Sequence, residues 1–392
     1  MILISYFSSL IYRRTKIPDI IWLLVFGAIL GPVSGFISTG IFRDVSPIIS
    51  TLSIILITFE AGLDVDFKTL REIFPKTLIL TLLSFILIVV STTIIGPLVF
   101  PELTIVKAMI LGTVLGGLST VAVISIRDQI EIKEVRNAWR IMSLESTIVD
   151  PIRVMLAITL IRVALLGPVQ PIDTFQDIFF ILLIGSILGL FLGIVWSVVL
   201  HRLRGLGNHY MITLAVLLQV YFLAELLAGN GGGTMACFMF GFTISNLKML
   251  SNYLGFTPRI DIKRLTDVNR EISFALKSYY FVYTGLIVTL DRNYVFAGIA
   301  FTAMIIVIRF FAGTVLGRLS DIEDIEIDII RVTYPLGTSA LVFAQLPLIY
   351  DPQGTVFTDP NIFTNLVFPV VLGTIIFSSL IGPFLVKRKY ED

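Results

Sequence analysis

The chain has 392 residues, of which 56% are hydrophobic and 15% charged, and its mean hydropathy is +0.94. Soluble domains carry about 45–50% apolar and 25% charged residues, so there is too little charge here to cover a water-soluble body, and the chain reads as a polytopic membrane protein. The net charge of +1 excludes a basic nucleic-acid binder or an acidic tail, and one Cys (Cys237) with two His (His201, His209) excludes a disulfide framework and the usual His/Cys metal cage.

A spanning helix needs about 20 mainly apolar residues. Thirteen runs of that character follow one another at roughly 2–12, 17–37, 47–63, 74–100, 104–126, 138–166, 177–201, 209–228, 232–249, 272–290, 293–317, 328–350 and 361–386. The first is short for a full span; either the chain begins late or this is a half-span. Met1–Tyr12 has no basic n-region and no obvious cleavage site before Arg13-Arg14, so a cleavable signal is not expected. The odd-numbered loops and the C-terminal tail hold 21 of the 29 Lys and Arg residues. The even-numbered side has Arg43 and Arg292, with Lys107 at a helix end. That bias places the C-terminus in the cytoplasm and, with thirteen spans, the N-terminus outside the cell membrane.

Thirteen segments divide as six, one and six, and the fifth of each six is interrupted. Segment 5 reads LGTVLGGLSTVAVISI and segment 12 carries TYPLGTSALVF, with Gly, Ser, Thr and Pro at mid-span. Either one alone is equally well explained by close helix packing. The matched pair points instead to a transporter with two inverted six-helix repeats, whose discontinuous helices cross and offer helix ends and free carbonyls to an ion. In segment 7, Gly185, Gly189 and Gly193 recur every fourth residue, a spacing that predicts a packing face.

Ionisable groups inside spans are functional candidates, since each costs at least about 2.5–3.5 kcal/mol to insert. Segment 6 carries Glu145-Ser146-Thr147-Ile148-Val149-Asp150-Pro151-Ile152-Arg153. Ser146 and Asp150 share a helix face, whereas Glu145, five residues before Asp150, points about 140° away. Pro151 has no N–H, which leaves the carbonyl of Thr147 without its helical donor. Arg309 in segment 11 is always protonated and needs a buried partner, for which Glu145 is the natural choice. Glu225 reads as a polar anchor near a helix end. Glu60 and Asp64, closing segment 3, read as solvated or capping groups, and Arg162 and Lys277 as snorkelling cations.

These residues resemble the monovalent cation/proton antiporters, especially sodium/proton exchangers of the NhaP type, over nearly the whole chain. Lys16-Ile17-Pro18-Asp19 with GAILGP, FEAGLDVDF, YFLAELLAGNGGGTMACFMFGF, YYFVYTGL and IRFFAG are each similar to family signatures. Most specific is Glu145-Ser146-x-x-x-Asp150-Pro151, similar to the family's ion-site helix, with Thr120 standing 30 residues before Asp150 at the position of the family's crossover threonine. The resemblance implies that Asp150 carries both cation and proton, that Ser146 and Thr120 are auxiliary cation ligands, and that Glu145–Arg309 is a structural core pair. The chain departs from the pattern at Val149 (usually Asn), Val121 (usually Asp), Leu336 (usually Arg) and Arg153, which the pattern lacks. Arg153, a possible modulator of the site, is expected to stand in for the arginine missing at 336; the rival reading is an i,i+3 pair with Asp150 that occupies the cation's place.

The expected function is alternating-access exchange of a monovalent cation, Na+ first, for H+ at one buried aspartate. With Val149 beside it, only Asp150 changes charge, so exchange is expected to be 1:1 and electroneutral. The single membrane domain is expected to comprise a scaffold and homodimer surface (1–70 and 205–290), a mobile transport core (71–166 and 291–390) and a linker helix (177–201). Partners are the cation, protons, membrane lipid and a second copy of the chain; no cofactor, nucleic acid or enzyme activity is expected. K+/H+ antiport, an organic or anionic solute transporter using Arg153, and a non-transporting sensor or channel are the alternatives.

Overall fold

In lipid, backbone N–H and C=O groups have no water to bond, so apolar runs of this length satisfy them internally as helices. A computed structural model describes residues 8, 11, 19–34, 40–65, 67–127, 135–166, 171–202, 209–229, 231–247, 262–289, 291–351, 353–359 and 361–390. The Lys16-Ile17-Pro18 motif and segment 1, save Ser8 and Ile11, lie outside them. Every regular element among the described residues is helical: α1 (Asp19–Ala28), α2 (Gly40–Asp64), α3 (Phe67–Val99), α4 (Ile105–Leu115), α5 (Thr120–Arg127), α6 (Arg136–Leu166), α7 (Pro171–Arg202), α8 (His209–Ala228), α9 (Gly232–Ser245), α10 (Ile262–Ile287), α11 (Arg292–Leu319), α12 (Asp324–Val332), α13 (Thr338–Phe343), α14 (Leu346–Tyr350), α15 (Asn361–Ile376) and α16 (Gly382–Tyr390). Wider π turns, Ile29–Val33 and Phe377–Ile381, follow α1 and join α15 to α16. Six of the described helices are long and apolar enough to cross a membrane. At 31 residues α6 is about 46 Å long at 1.5 Å per residue, although its charges keep it out of that set.

The chain forms two compact units. One comprises Met1–Pro47, Ile73–Val149 and Lys277–Asp392. Its helices approach through small residues: a Cβ on Gly112 would stand 2.8 Å from the Val89 Cα, and one on Gly298 would stand 2.5 Å from the Pro369 ring. These contacts bring α4 against α3, and α15 against α11. The other unit comprises Ile48–Glu72 and Asp150–Leu276. There Gly185, Gly189 and Gly193 of α7 lie against α9, as their spacing predicts, with a Cβ on Gly185 meeting the Gly232 carbonyl at 2.6 Å. Glu225 ends α8 as an anchor, accepting from the N–H groups of Gly231 (2.8 Å) and Gly233 (3.0 Å) at the start of α9. Gly231 takes φ +100°, which favours glycine. Arg270 bridges Asp64 at 2.9 Å and Glu60 at 3.7 Å on a half-exposed surface.

Candidate ion-transport site

Segment 5 is two helices. Gly116, Gly117 and Leu118 follow the end of α4 at Leu115, and α5 begins at Thr120. Segment 12, expected as one span over 328–350, is three helices: α12 stops at Val332, Thr333–Gly337 runs extended, α13 covers Thr338–Phe343, and α14 follows. Pro335 has no N–H to continue a ladder, and the N–H groups of Tyr334 and Leu336 are instead met by Ser378 Oγ (3.0 Å) and Thr374 Oγ1 (3.2 Å) of the helix opposite.

The two breaks cross. The Ser119 N–H donates to the Pro335 carbonyl at 2.8 Å, and a Cβ on Gly337 would collide with the Ser119 side chain. Only glycine permits that approach. The N-termini of α5 and α13 and the C-termini of α4 and α12 are therefore brought to one region, with the partial charges that helix ends carry.

Of the sequence-predicted residues, Thr120 and Ser146 meet at this crossing. Thr120, at the head of α5, is hydrogen bonded through Oγ1 to Ser146 Oγ. Ser146 also directs its hydroxyl to the Ser143 carbonyl at 2.9 Å; with its one proton so placed, Thr120 is the donor. One turn further along α6 stands Asp150, 9% exposed. Arg153, expected to stand in for the arginine missing at 336, instead makes the rival contact with Asp150, Nη1 to Oδ1 at 2.6 Å. Leu336 is fully buried.

Glu145 and Arg309 are brought together by a fork-to-fork contact, Nη1–Oε1 2.8 Å and Nη2–Oε2 2.9 Å. Arg309 Nε donates to the Ile330 carbonyl at 2.8 Å, Nη1 reaches Ser84 Oγ at 3.4 Å, and the guanidinium lies 5.0 Å from the centre of the Tyr334 ring. One arginine thus joins α3, α6, α11 and α12.

Two carboxylates of α12 were not anticipated. Glu326, 1% exposed, accepts from the Asn137 N–H (2.7 Å), Asn137 Nδ2 (3.2 Å) and the Ala138 N–H (3.3 Å), at the first turn of α6. Asp328 accepts from Arg331 Nη1 (2.7 Å), Lys389 Nζ (2.6 Å) and the Tyr390 hydroxyl (2.8 Å). The available signal was the run Ile325-Glu326-Ile327-Asp328-Ile329-Ile330, in which acids alternate with β-branched residues just before an interrupted span.

The family model for the transmembrane sodium/hydrogen exchanger matches residues 1–388. Among solved structures, that of the sodium proton antiporter MjNhaP1 from Methanocaldococcus jannaschii at pH 8 has a TM-score of 0.81 at 17% identity, covering 97% of each chain. An electron-microscopy map of the same antiporter gives 0.73 at 16% identity, over 99% of this chain and 93% of that one. At such identities the likeness is one of fold. Among curated proteins none matches the chain.

Proposed function

Because the chain belongs to the sodium/hydrogen exchanger family, multi-pass membrane transporters whose class of activity is cation/proton antiport, we propose that it exchanges one monovalent cation, Na+ first, for one proton at Asp150. The carboxylate holds either a proton or the cation, aided by the Ser146 hydroxyl and the oxygens of Thr120. The transport core moves only when the carboxylate is neutralised, so the two fluxes run in opposite directions. Since residue 149 is valine, no second titrating group joins Asp150 from that position, and the exchange is electroneutral.

The observation that carries this reading is the Thr120–Ser146 hydrogen bond. It fastens the N-terminal end of the first crossover to α6 one turn before Asp150. The Thr147 carbonyl, released by Pro151 four residues on, adds an oxygen to the same helix. Arg153 holds Asp150 Oδ1 in this arrangement, so an incoming cation takes the place of a guanidinium. That occupancy weighs against the anionic-solute reading, because the guanidinium already has a carboxylate.

The expected arrangement places residues 71–166 and 291–390 in the moving core and residues 1–70 and 205–290 in a static scaffold through which two copies associate. The Lys and Arg distribution supports a cytoplasmic C-terminus. The test is collapse of an imposed pH gradient in proteoliposomes on adding Na+, Li+ or K+ in turn. Collapse by Na+ supports the reading; collapse by K+ alone turns it to K+/H+ antiport; collapse only with a transported anion overturns it.

A further inference from the structure

α12 is attached to α6 at two levels. Glu326 receives the first N–H groups of α6 at residues 137 and 138. Four residues later the Ile330 carbonyl receives Arg309 Nε, and Arg309 grips Glu145. Along α6 the attachment points are seven or eight residues apart, about 11–12 Å at 1.5 Å per residue. One point of attachment would leave α6 free to turn about its axis; two separated points fix its rotation and its sliding together. α12 runs straight into the extended Thr333–Gly337, which holds Ser119 of the first crossover through Pro335.

Glu326 is also suited chemically to the task. A carboxylate at a helix N-terminus satisfies donors that have no partner within the helix and opposes the positive end of its dipole. An amide keeps the shape but loses the charge and one acceptor. Aspartate keeps the charge but falls short by one carbon–carbon bond.

We propose that Glu326 is a positioning residue for cation exchange: by capping α6 it sets the register of Ser146 against the crossed helices. This rests on the assignment of the cation to Asp150 and Ser146, and goes beyond it by naming a residue that touches neither ion nor proton.

The experiment measures the half-saturating Na+ concentration, the maximal rate and the melting curve of Glu326→Asp, Glu326→Gln and Glu326→Ala in proteoliposomes. Each is made alone and with Ser146→Ala, beside Asp150→Asn. Glu326→Asp, the least disruptive, is expected to melt near the parent while raising the half-saturating Na+ concentration about threefold. Glu326→Gln and Glu326→Ala are expected to raise it about tenfold or more. If Glu326 acts through the register of Ser146, the rise shrinks in the Ser146→Ala background. A merely structural cap would lower the melting temperature and leave the Na+ dependence alone, and that result overturns the inference. So does a rise of undiminished size in the double variants. Wild-type exchange by Asp150→Asn removes the cation assignment itself and the inference with it. An inactive Asp150→Asn beside unchanged Na+ dependence in all three Glu326 variants overturns the inference alone.

Discussion

Glu145 and Asp150 stand five residues apart on α6 and each meets an arginine, by different means. Arg309 comes from another helix and offers two nitrogens to two oxygens, with side chains only 1% and 2% exposed. Its third nitrogen bonds a helix-terminal carbonyl. Arg153 comes from the next turn of the same helix and gives Nη1 to Oδ1 of an aspartate whose side chain is 12% exposed. Breaking the first pair means separating two helices and stranding charges in the core. The second pair lies within one turn, so parting it separates no helices, although Arg153 itself is fully buried. The same charge types therefore make one contact between helices and one within a helix. The proposed exchange uses both: a rigid body to move, and a carboxylate that lets go of its partner.

The largest effect separating the two carboxylates is on transport. Asp150→Asn should abolish cation-driven proton movement while leaving a folded, inserted protein, as read by pH-gradient collapse and a melting curve. Full exchange by this variant would reduce Asp150 to another brace. Next comes Arg309→Ala, which should lower stability by about 3–5 kcal/mol, the usual result of stranding one member of a buried pair. Its effect on the half-saturating cation concentration should be small. Adding Glu145→Gln should return part of the lost stability, and strictly additive losses in the double variant would mean that the pair is not a brace.

Arg153→Ala sharpens the comparison most. On the proposed mechanism Arg153 competes with the cation for Asp150, so its removal should lower the half-saturating cation concentration by up to about tenfold, the equivalent of about 1.4 kcal/mol. Leu336→Arg should not reverse the change. A fall in melting temperature that Leu336→Arg repairs, with cation dependence unchanged, would make Arg153 a second brace.

The smallest effect belongs to a carboxylate held by backbone N–H groups and a hydroxyl. Asp351 lies between helices; burial opposes its ionisation, but the N–H groups of Phe357, Val356 and Thr355 and the Thr355 hydroxyl outweigh that and hold its carboxyl well below the ordinary value. Its contribution to stability is thus complete above the unfolded pKa of about 3.9 and fades as pH falls through the folded value. Asp351→Asn should lower the melting temperature modestly at pH 7 and remove this loss in melts carried below about pH 4. An unchanged acid profile would assign the loop's stability to other groups.

Much of this was legible from residue types alone. Gly/Pro interruptions at matching places in two halves point to broken helices, because proline lacks the ladder N–H and glycine weakens a helix through its backbone freedom. An arginine in an apolar helix implies a buried partner, and Glu145 was the natural choice. Arg153 was harder: i,i+3 pairing and a long-range role are equally compatible with a helix, and rotamer choice decides. Glu326 and Asp328 were hidden for another reason. Acids near the end of a span look solvated, and nothing local announces that Asn137, 189 residues away in sequence, or Tyr390, 62 away, comes to meet them.

Asp328 carries a practical consequence. Lys389 and Tyr390 are moored to it, so the end of α16 hangs on the short helix that also caps α6 and leads into the second crossover. A fluorescent protein, affinity tag or truncation placed after Val386 therefore does not sit at a neutral terminus. It loads or unties a knot two residues from Glu326, and a fusion meant only to report on the protein would change what it reports. A spacer beginning after Tyr390, with Lys389 and Tyr390 left intact, is the arrangement that keeps the mooring.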